Sequence, residues 1–199
     1  MKKKYVQVGL GGRARFFYEA IASTYHQTCE LVGFCDVSQT RMDYANRILV
    51  NKYGQKKVKT CMPSQFEQLL DDVRPAEVII TSVDRTHHDY IIRAMKKGYD
   101  VICEKPLTID EEKAQEIITV QKQTGRSLRV TFNYRYAPYH TKIKELIESD
   151  VIGDVFSIHF EWLLNTQHGA DYFRRWHRNK HNSGGLLVHE STHHFDLVN

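Results

Sequence analysis

The chain has 199 residues, 41% of them hydrophobic, enough for one large domain with a real core or for one domain and part of another. Its 28 basic and 24 acidic residues leave a formal charge of +4, with Lys2, Lys3 and Lys4 together at the N-terminus, an excess too small and too dispersed for nucleic-acid or membrane binding. No apolar run approaches the roughly 20 residues that span a bilayer. The opening MKKKYVQVGLGGRAR interrupts its apolar run at Gly9 and ends it before Arg13 and Arg15, so no export is expected. Cys29, Cys35, Cys61 and Cys103 form no CxxC pair, which predicts buried thiols in a reducing cytoplasm.

Short apolar runs alternate with amphipathic stretches up to about position 132. Tyr5 to Val8 reads as a buried strand, and Arg13 to His26 as a helix with Phe17, Ile21 and Tyr25 on one face. Leu31 to Cys35 is the second strand, and Ser38 caps a helix that carries Ala45, Ile48 and Leu49 inward and ends near Gly54. A weak strand around Val58, a helix after Pro63, a strong strand from Val78 to Thr81 and a helix ending near Gly98 continue the alternation. Val101 to Cys103 is a strand, Asp110 caps a helix running to about Thr124, and Leu128 to Phe132 is a further strand. This repetition predicts an α/β fold, a Rossmann-type doubly wound parallel sheet with helices on both faces, over residues 1–132.

The texture changes over residues 133–199. A helix from Pro138 to Ser149 is followed by an alternating strand from Asp154 to Leu164, an aromatic, Arg- and His-rich loop through Trp162, Asn165, His168, Tyr172, Arg174, Trp176, His177 and Arg178, and a helix beginning near His189. One long strand makes no stable sheet alone. The expectation is the start of an α+β second domain, incomplete in this chain or completed by a partner.

Four strand ends carry glycine or polar residues on the edge where parallel α/β sheets bind ligands. In YVQVGLGGRAR, Gly9 permits the tight turn, Gly11 permits close approach of a pyrophosphate, and Ala14 is the small residue that lets helix and strand pack. The helix start offers free N–H groups to phosphates. Asp36, about 25 residues on, ends the second strand where a carboxylate accepts from an adenosine ribose; it favours NAD over NADP, with Arg41 softening that preference. The other two ends are TSVDRTHHD, Thr81 to Asp89, and CEKP, Cys103 to Pro106, where Pro106 biases Lys105 toward an extended conformation facing the cleft.

SGGLLVHESTHHFD, Ser183 to Asp196, supports two chemistries. Read alone, its HExxH places His189 and His193 one turn apart with Glu190 beside them, as in zinc peptidases. Six histidines, His168, His177, His181, His189, His193 and His194, fall within 27 residues. A zinc site needs a third ligand, the metzincin continuation has Gly where this chain has Asp196, and the peptidase reading leaves the glycine turn, Asp36 and EKP unexplained. No metal is therefore expected. His26, His140 and His159 read as surface or core-edge residues.

The glycine turn, Asp36, TSVDRTH, EKP at Glu104 to Pro106, FNYRY at Phe132 to Tyr136 and SGGLLVHESTHHFD together resemble the Gfo/Idh/MocA family (glucose-fructose oxidoreductase / inositol dehydrogenase) along the whole chain. The resemblance implies an NAD(P)-dependent dehydrogenase acting on a sugar or polyol, with a second domain that forms a homo-oligomer interface. It implies Lys105 hydrogen-bonding the reacting hydroxyl, His193 as general base or acid, and His189 as a further catalytic candidate. Imidazole, with an ordinary pKa of about 6.5, suits such transfer, which typically contributes ~10²–10⁴-fold in rate. Cofactor contacts are implied for Gly9, Gly11, Gly12, Arg13, Asp36, Ser82, His87, Glu104 and Lys105, and substrate contacts for Lys105, Arg135, Tyr172, Trp176, His177, His189 and His193. One departure stands out: the family often has Asp where this chain has His189, and a neutral imidazole there would not stabilise a protonated Lys105. Asp196 is expected to orient His193. Two further readings are an enzyme that oxidises its sugar only transiently to allow elimination or glycosidic cleavage, and a non-catalytic NAD-binding regulator.

Overall fold

In the computed structural model the backbone is described over residues 1–199, and all side chains except those of His168 and Asp171, which lie outside the described residues. Six strands, β1 (Lys3–Val8), β2 (Cys29–Cys35), β3 (Lys59–Cys61), β4 (Glu77–Ile80), β5 (Asp100–Cys103) and β6 (Leu128–Val130), form one sheet in the order β3-β2-β1-β4-β5-β6, every pairing parallel. The order reverses between β1 and β4, so the crevice beyond their carboxyl ends is the switch point at which open α/β sheets bind ligands.

Helices α1 (Ala14–Ala22), α2 (Gln39–Tyr53), α3 (Phe66–Val73), α4 (His87–Lys96) and α5 (Glu111–Thr124) connect the strands. Ser38 caps α2 by accepting from Arg41 N, and Asp110 caps α5 by accepting from Lys113 N; Gly54 and Gly125 end those helices in the left-handed conformation, where a side chain would strain. The period-two alternation of the strands sends Val6, Val8, Val78, Ile80, Val101 and Cys103 into a core with α3, α4 and α5, while Phe34 packs with α1 and α2 in a second core. Burying each such aliphatic side chain stabilises by about 1.5–3 kcal/mol. The inward face of α1 is Ala14, Tyr18, Ile21 and Ala22; the expected face through Tyr25 fails because the helix ends at Ala22 and leaves Tyr25 exposed. Burial pushes the Cys103 thiol well above its usual range, which makes it inert core.

Beyond β6 come α6 (Pro138–Glu148), α7 (Thr166–Arg174), α8 (Lys180–Ser183) and α9 (Leu186–Val198). The strand expected over Asp154 to Leu164 does not form: these residues have no ladder partner, and Phe156 and Leu163 are exposed. An alternating pattern specifies a face to bury but makes a strand only when neighbouring strands accept its hydrogen bonds. The segment read as an aromatic loop contains α7 and, at Trp176–Arg178, a 3₁₀ turn. Among the described residues no helix is long and apolar enough to cross a membrane.

Candidate active site

The nucleotide half of the site is built mostly from backbone. Gly9 N donates to Cys35 O, and Gly9 has φ +80°; a Cβ there would lie 2.5 Å from the Ser82 backbone, so only glycine lets β1 turn this close to β4. Buried Gln7 fixes the turn from below, donating through Nε2 to Ala14 O (3.0 Å) and Thr81 Oγ1 (3.1 Å), while Thr81 Oγ1 donates to Gly9 O (2.6 Å). Above the turn, an added Cβ at Gly11 or Gly12 would meet nothing within 4 Å, and α1 begins after Arg13 without a side-chain cap. Ala14 N and Phe16 N donate to Gly11 O and Arg13 O, so among the described residues the N–H groups left open to a phosphate are those of Gly12 and Arg13, just ahead of the helix. Asp36, 5% exposed, accepts from Leu10 N (2.5 Å) and Ser38 N (2.8 Å) on separate oxygens, and each oxygen keeps a lone pair for a ribose hydroxyl. Arg41 lies 3.8 Å from Asp36 but is largely exposed, a screened and weak pair. Turn, uncapped helix and carboxylate together fit a dinucleotide.

The reacting half is a cleft of about 300 Å³ where the ends of β4 and β5 meet α9. Lys105 follows β5 and Glu104. Its Nζ donates to His189 O (2.9 Å) and reaches Glu190 Oε2 at 3.4 Å, with both side chains largely buried. Glu190 Oε2 also accepts from the Tyr172 hydroxyl at 2.6 Å. Burial pushes the Glu190 carboxyl up, but the Tyr172 hydrogen bond and the Lys105 ammonium outweigh it and hold the group below the usual carboxylate range. The carboxylate that position 189 lacks is thus supplied by the next residue, which corrects the expectation that Lys105 is without one. Of the three N–H donors of an ammonium, two are used, leaving one for a substrate oxygen.

His193, 4% exposed, stacks on Tyr134 with ring centroids 4.0 Å apart and planes 8° from parallel, and meets Phe132 edge-on. Burial first, and the positive charge of Lys105 second, push its pKa down to about 4, so the ring is neutral at pH 7. Its Nδ1 is buried with no hydrogen-bond partner among the described residues. Asp196 does not orient it as expected: that carboxylate takes the Arg135 guanidinium instead, accepting from Nε at 2.7 Å. Arg135 is exposed, engaged with Asp196 and absent from the cleft wall, which corrects its reading as a substrate contact; one residue along the same 3₁₀ turn, Tyr134 does line the cleft.

The remaining expected residues fall in or around the cleft. Arg13, Ser82, Tyr172, Trp176, His177 and His189 line it. Glu104 lines it too, accepting from Arg13 Nη2 (3.1 Å) and Thr131 Oγ1 (2.7 Å). His87 is 1% exposed, with Nδ1 2.9 Å from Pro106 O and Nε2 3.1 Å from Ser82 O, so its ring joins the β4 and β5 loops beneath the cleft. Sequence reasoning missed Asp84, whose carboxylate lies 2.6 Å from His189 Nδ1, and used Glu190 only for the zinc reading. A carboxylate four residues past the end of β4, in the segment TSVDRTHHD, was the available signal. Among the described residues, no three His, Cys, Asp or Glu side chains converge as a metal-holding group.

Residues 3–132 match the oxidoreductase family described as NAD-binding Rossmann fold (Gfo/Idh/MocA), and residues 144–199 match that family's C-terminal alpha/beta domain. The chain is 36% identical over 199 residues to YteT of Bacillus subtilis, an oxidoreductase by name, covering 99% of this chain and 46% of that protein. It is 29% identical to a glucose-6-phosphate 3-dehydrogenase of the same organism, covering 98% of this chain and 53% of the relative. A scyllo-inositol dehydrogenase from Lactobacillus casei, solved with NAD(H) and scyllo-inositol, shares the fold with a TM-score of 0.80 at 24% identity, covering all of this chain and 55% of that one. The chain spans about half the length of the curated relatives it matches. The glycine turn, the six-stranded parallel sheet and the matched sequence leave one conclusion: this chain belongs to the Gfo/Idh/MocA oxidoreductase family, with its NAD-binding Rossmann fold.

Proposed function

We propose that the full-length protein oxidises a secondary hydroxyl of a sugar, glycoside or polyol reversibly with NAD. The observation that carries this reading is Lys105, held by His189 O and Glu190 in a cleft it shares with neutral His193, at the sheet edge that also presents the Gly9 turn and Asp36. Bound NAD supplies the hydride acceptor. Gly9, Gly11, Gly12 and the start of α1 hold its pyrophosphate, and Asp36 holds the adenosine ribose. The free N–H of Lys105 donates to the reacting oxygen and stabilises negative charge developing there. His193 takes the hydroxyl proton at Nε2.

Tyr172, Trp176 and His177 form a wall of flat rings and polar edges against the substrate, as sugars require. Residues 1–132 are the dinucleotide domain and 133–199 the opening of the substrate domain. We place the enzyme in the cytoplasm as a homo-oligomer. The test is NADH formation by full-length protein with NAD and two probes, myo-inositol and methyl D-glucoside. K105A and H193A are expected to lower kcat/KM by about 10³-fold while NAD, followed by fluorescence, still binds; unchanged turnover in either variant overturns the assignment.

A further inference from the structure

We infer that Asp84 is a positioning residue that acts through His189: its buried carboxylate takes the Nδ1 hydrogen of His189 and leaves Nε2 as an acceptor for a second hydroxyl of the substrate. The inference rests on the dehydrogenase reading and goes beyond it, since it assigns work to a residue outside the Lys105–His193 pair.

Asp84 lies in the turn after β4, is 3% exposed, and its Oδ2 is 2.6 Å from His189 Nδ1 across 105 residues of sequence. A carboxylate only accepts, so Nδ1 carries the hydrogen, and in the neutral imidazole Nε2, at the opposite edge of the ring, then keeps a lone pair. Rotation is blocked on the remaining sides. The rings of Tyr172 and Trp176 sit 5.5 Å from that of His189, and His177 sits 4.7 Å away. Lys105 Nζ donates to the carbonyl of His189 itself, so one residue anchors the ammonium through its backbone and meets Asp84 through its ring. The α9 helix therefore presents two histidines of different kinds: His193, with no carboxylate bonded to it among the described residues, to move a proton, and His189 with its tautomer fixed, to read a hydroxyl. A site built to accept from a hydroxyl discriminates strongly against an analogue that lacks it.

The tautomer is read by nitrogen NMR on full-length protein labelled with ¹⁵N-histidine, NAD bound, at pH 8, with H189Q identifying the resonance by its loss. Hydrogen at Nδ1 and a bare Nε2 are expected in the wild type. D84N keeps the shape but turns an amide N–H₂ toward Nδ1, so the hydrogen should move to Nε2; if D84N does not fold, D84A, which removes the acceptor, should release the ring to a mixture of both tautomers. With myo-inositol or methyl D-glucoside, D84N should raise KM at least tenfold and lower kcat less, with NAD affinity within twofold of wild type, a split that general loosening of the fold would not produce. Hydrogen at Nε2 in the wild type, an unchanged tautomer in the Asp84 variants, or an unchanged KM overturns the inference. Absence of NADH from the wild type with both polyols overturns the dehydrogenase reading and the substrate contact with it, and leaves the tautomer alone to decide whether Asp84 sets the ring.

Discussion

The two halves of the cleft are built by opposite means. At the nucleotide half, the contacts come from backbone: a glycine at positive φ, open space over Gly11 and Gly12, an uncapped helix start, and one carboxylate braced by Leu10 N and Ser38 N. At the reacting half they come from side chains that meet from distant parts of the chain: Asp84 with His189, Lys105 with Glu190, and Tyr134 with His193. A backbone site tolerates change wherever the path of the chain survives, whereas a side-chain site fails at single atoms. The difference teaches where each half should break.

The largest effect should come from the reacting half. K105A removes the donor to the reacting oxygen and is expected to lower kcat/KM by about 10³-fold, measured by NADH formation, with NAD affinity nearly unchanged. G9A is the corresponding break in the nucleotide half. Forcing a side chain to φ +80° against the Ser82 backbone should destabilise the protein by about 3 kcal/mol or more in urea unfolding and abolish NAD binding, and a fully stable G9A would refute the close approach.

D36A should weaken NAD binding by roughly 10–100-fold in a fluorescence titration, because each hydrogen bond to a carboxylate is worth about 1.5–3 kcal/mol, and should narrow the preference over NADP. Acid supplies a finer comparison. His193 titrates near 4 in the folded protein against an ordinary 6.5, so between those values the unfolded chain binds a proton that the native state does not. Stability should be full above pH 6.5 and fall as pH drops toward 4; H193Q should flatten that slope, as urea midpoints at pH 7.5, 6 and 4.5 would register. Smallest of all, R135A removes an exposed ion pair with Asp196 and should cost under about 1 kcal/mol with no change in KM, separating Arg135 from the cleft.

Much of this was legible in the chain because it depends on local rules. The β-α alternation, the caps at Ser38 and Asp110, the glycine turn and Asp36 follow from neighbours within a few residues, and each stands where the pattern put it. The strand expected at Asp154 to Leu164 did not follow, since strand formation depends on partners that alternation does not name. Asp196 was close enough in sequence to orient His193, yet it turned to Arg135. Helical spacing says which residues share a face but not which partner reaches that face first.

By itself, the sequence determined the parallel sheet, the nucleotide turn and the place of Lys105 at a strand end, because hydrophobic periodicity and backbone sterics act over short stretches of chain, while the meeting of Lys105 with His189 and His193 was implied only by the family resemblance. Only the tertiary structure decided which carboxylate serves which base: Glu190 for Lys105, Asp84 for His189, and none among the described residues for His193. The reason is physical. A buried charge needs a partner at hydrogen-bonding distance, and that partner is selected by how β4, β5 and α9 pack in space rather than by their order along the chain.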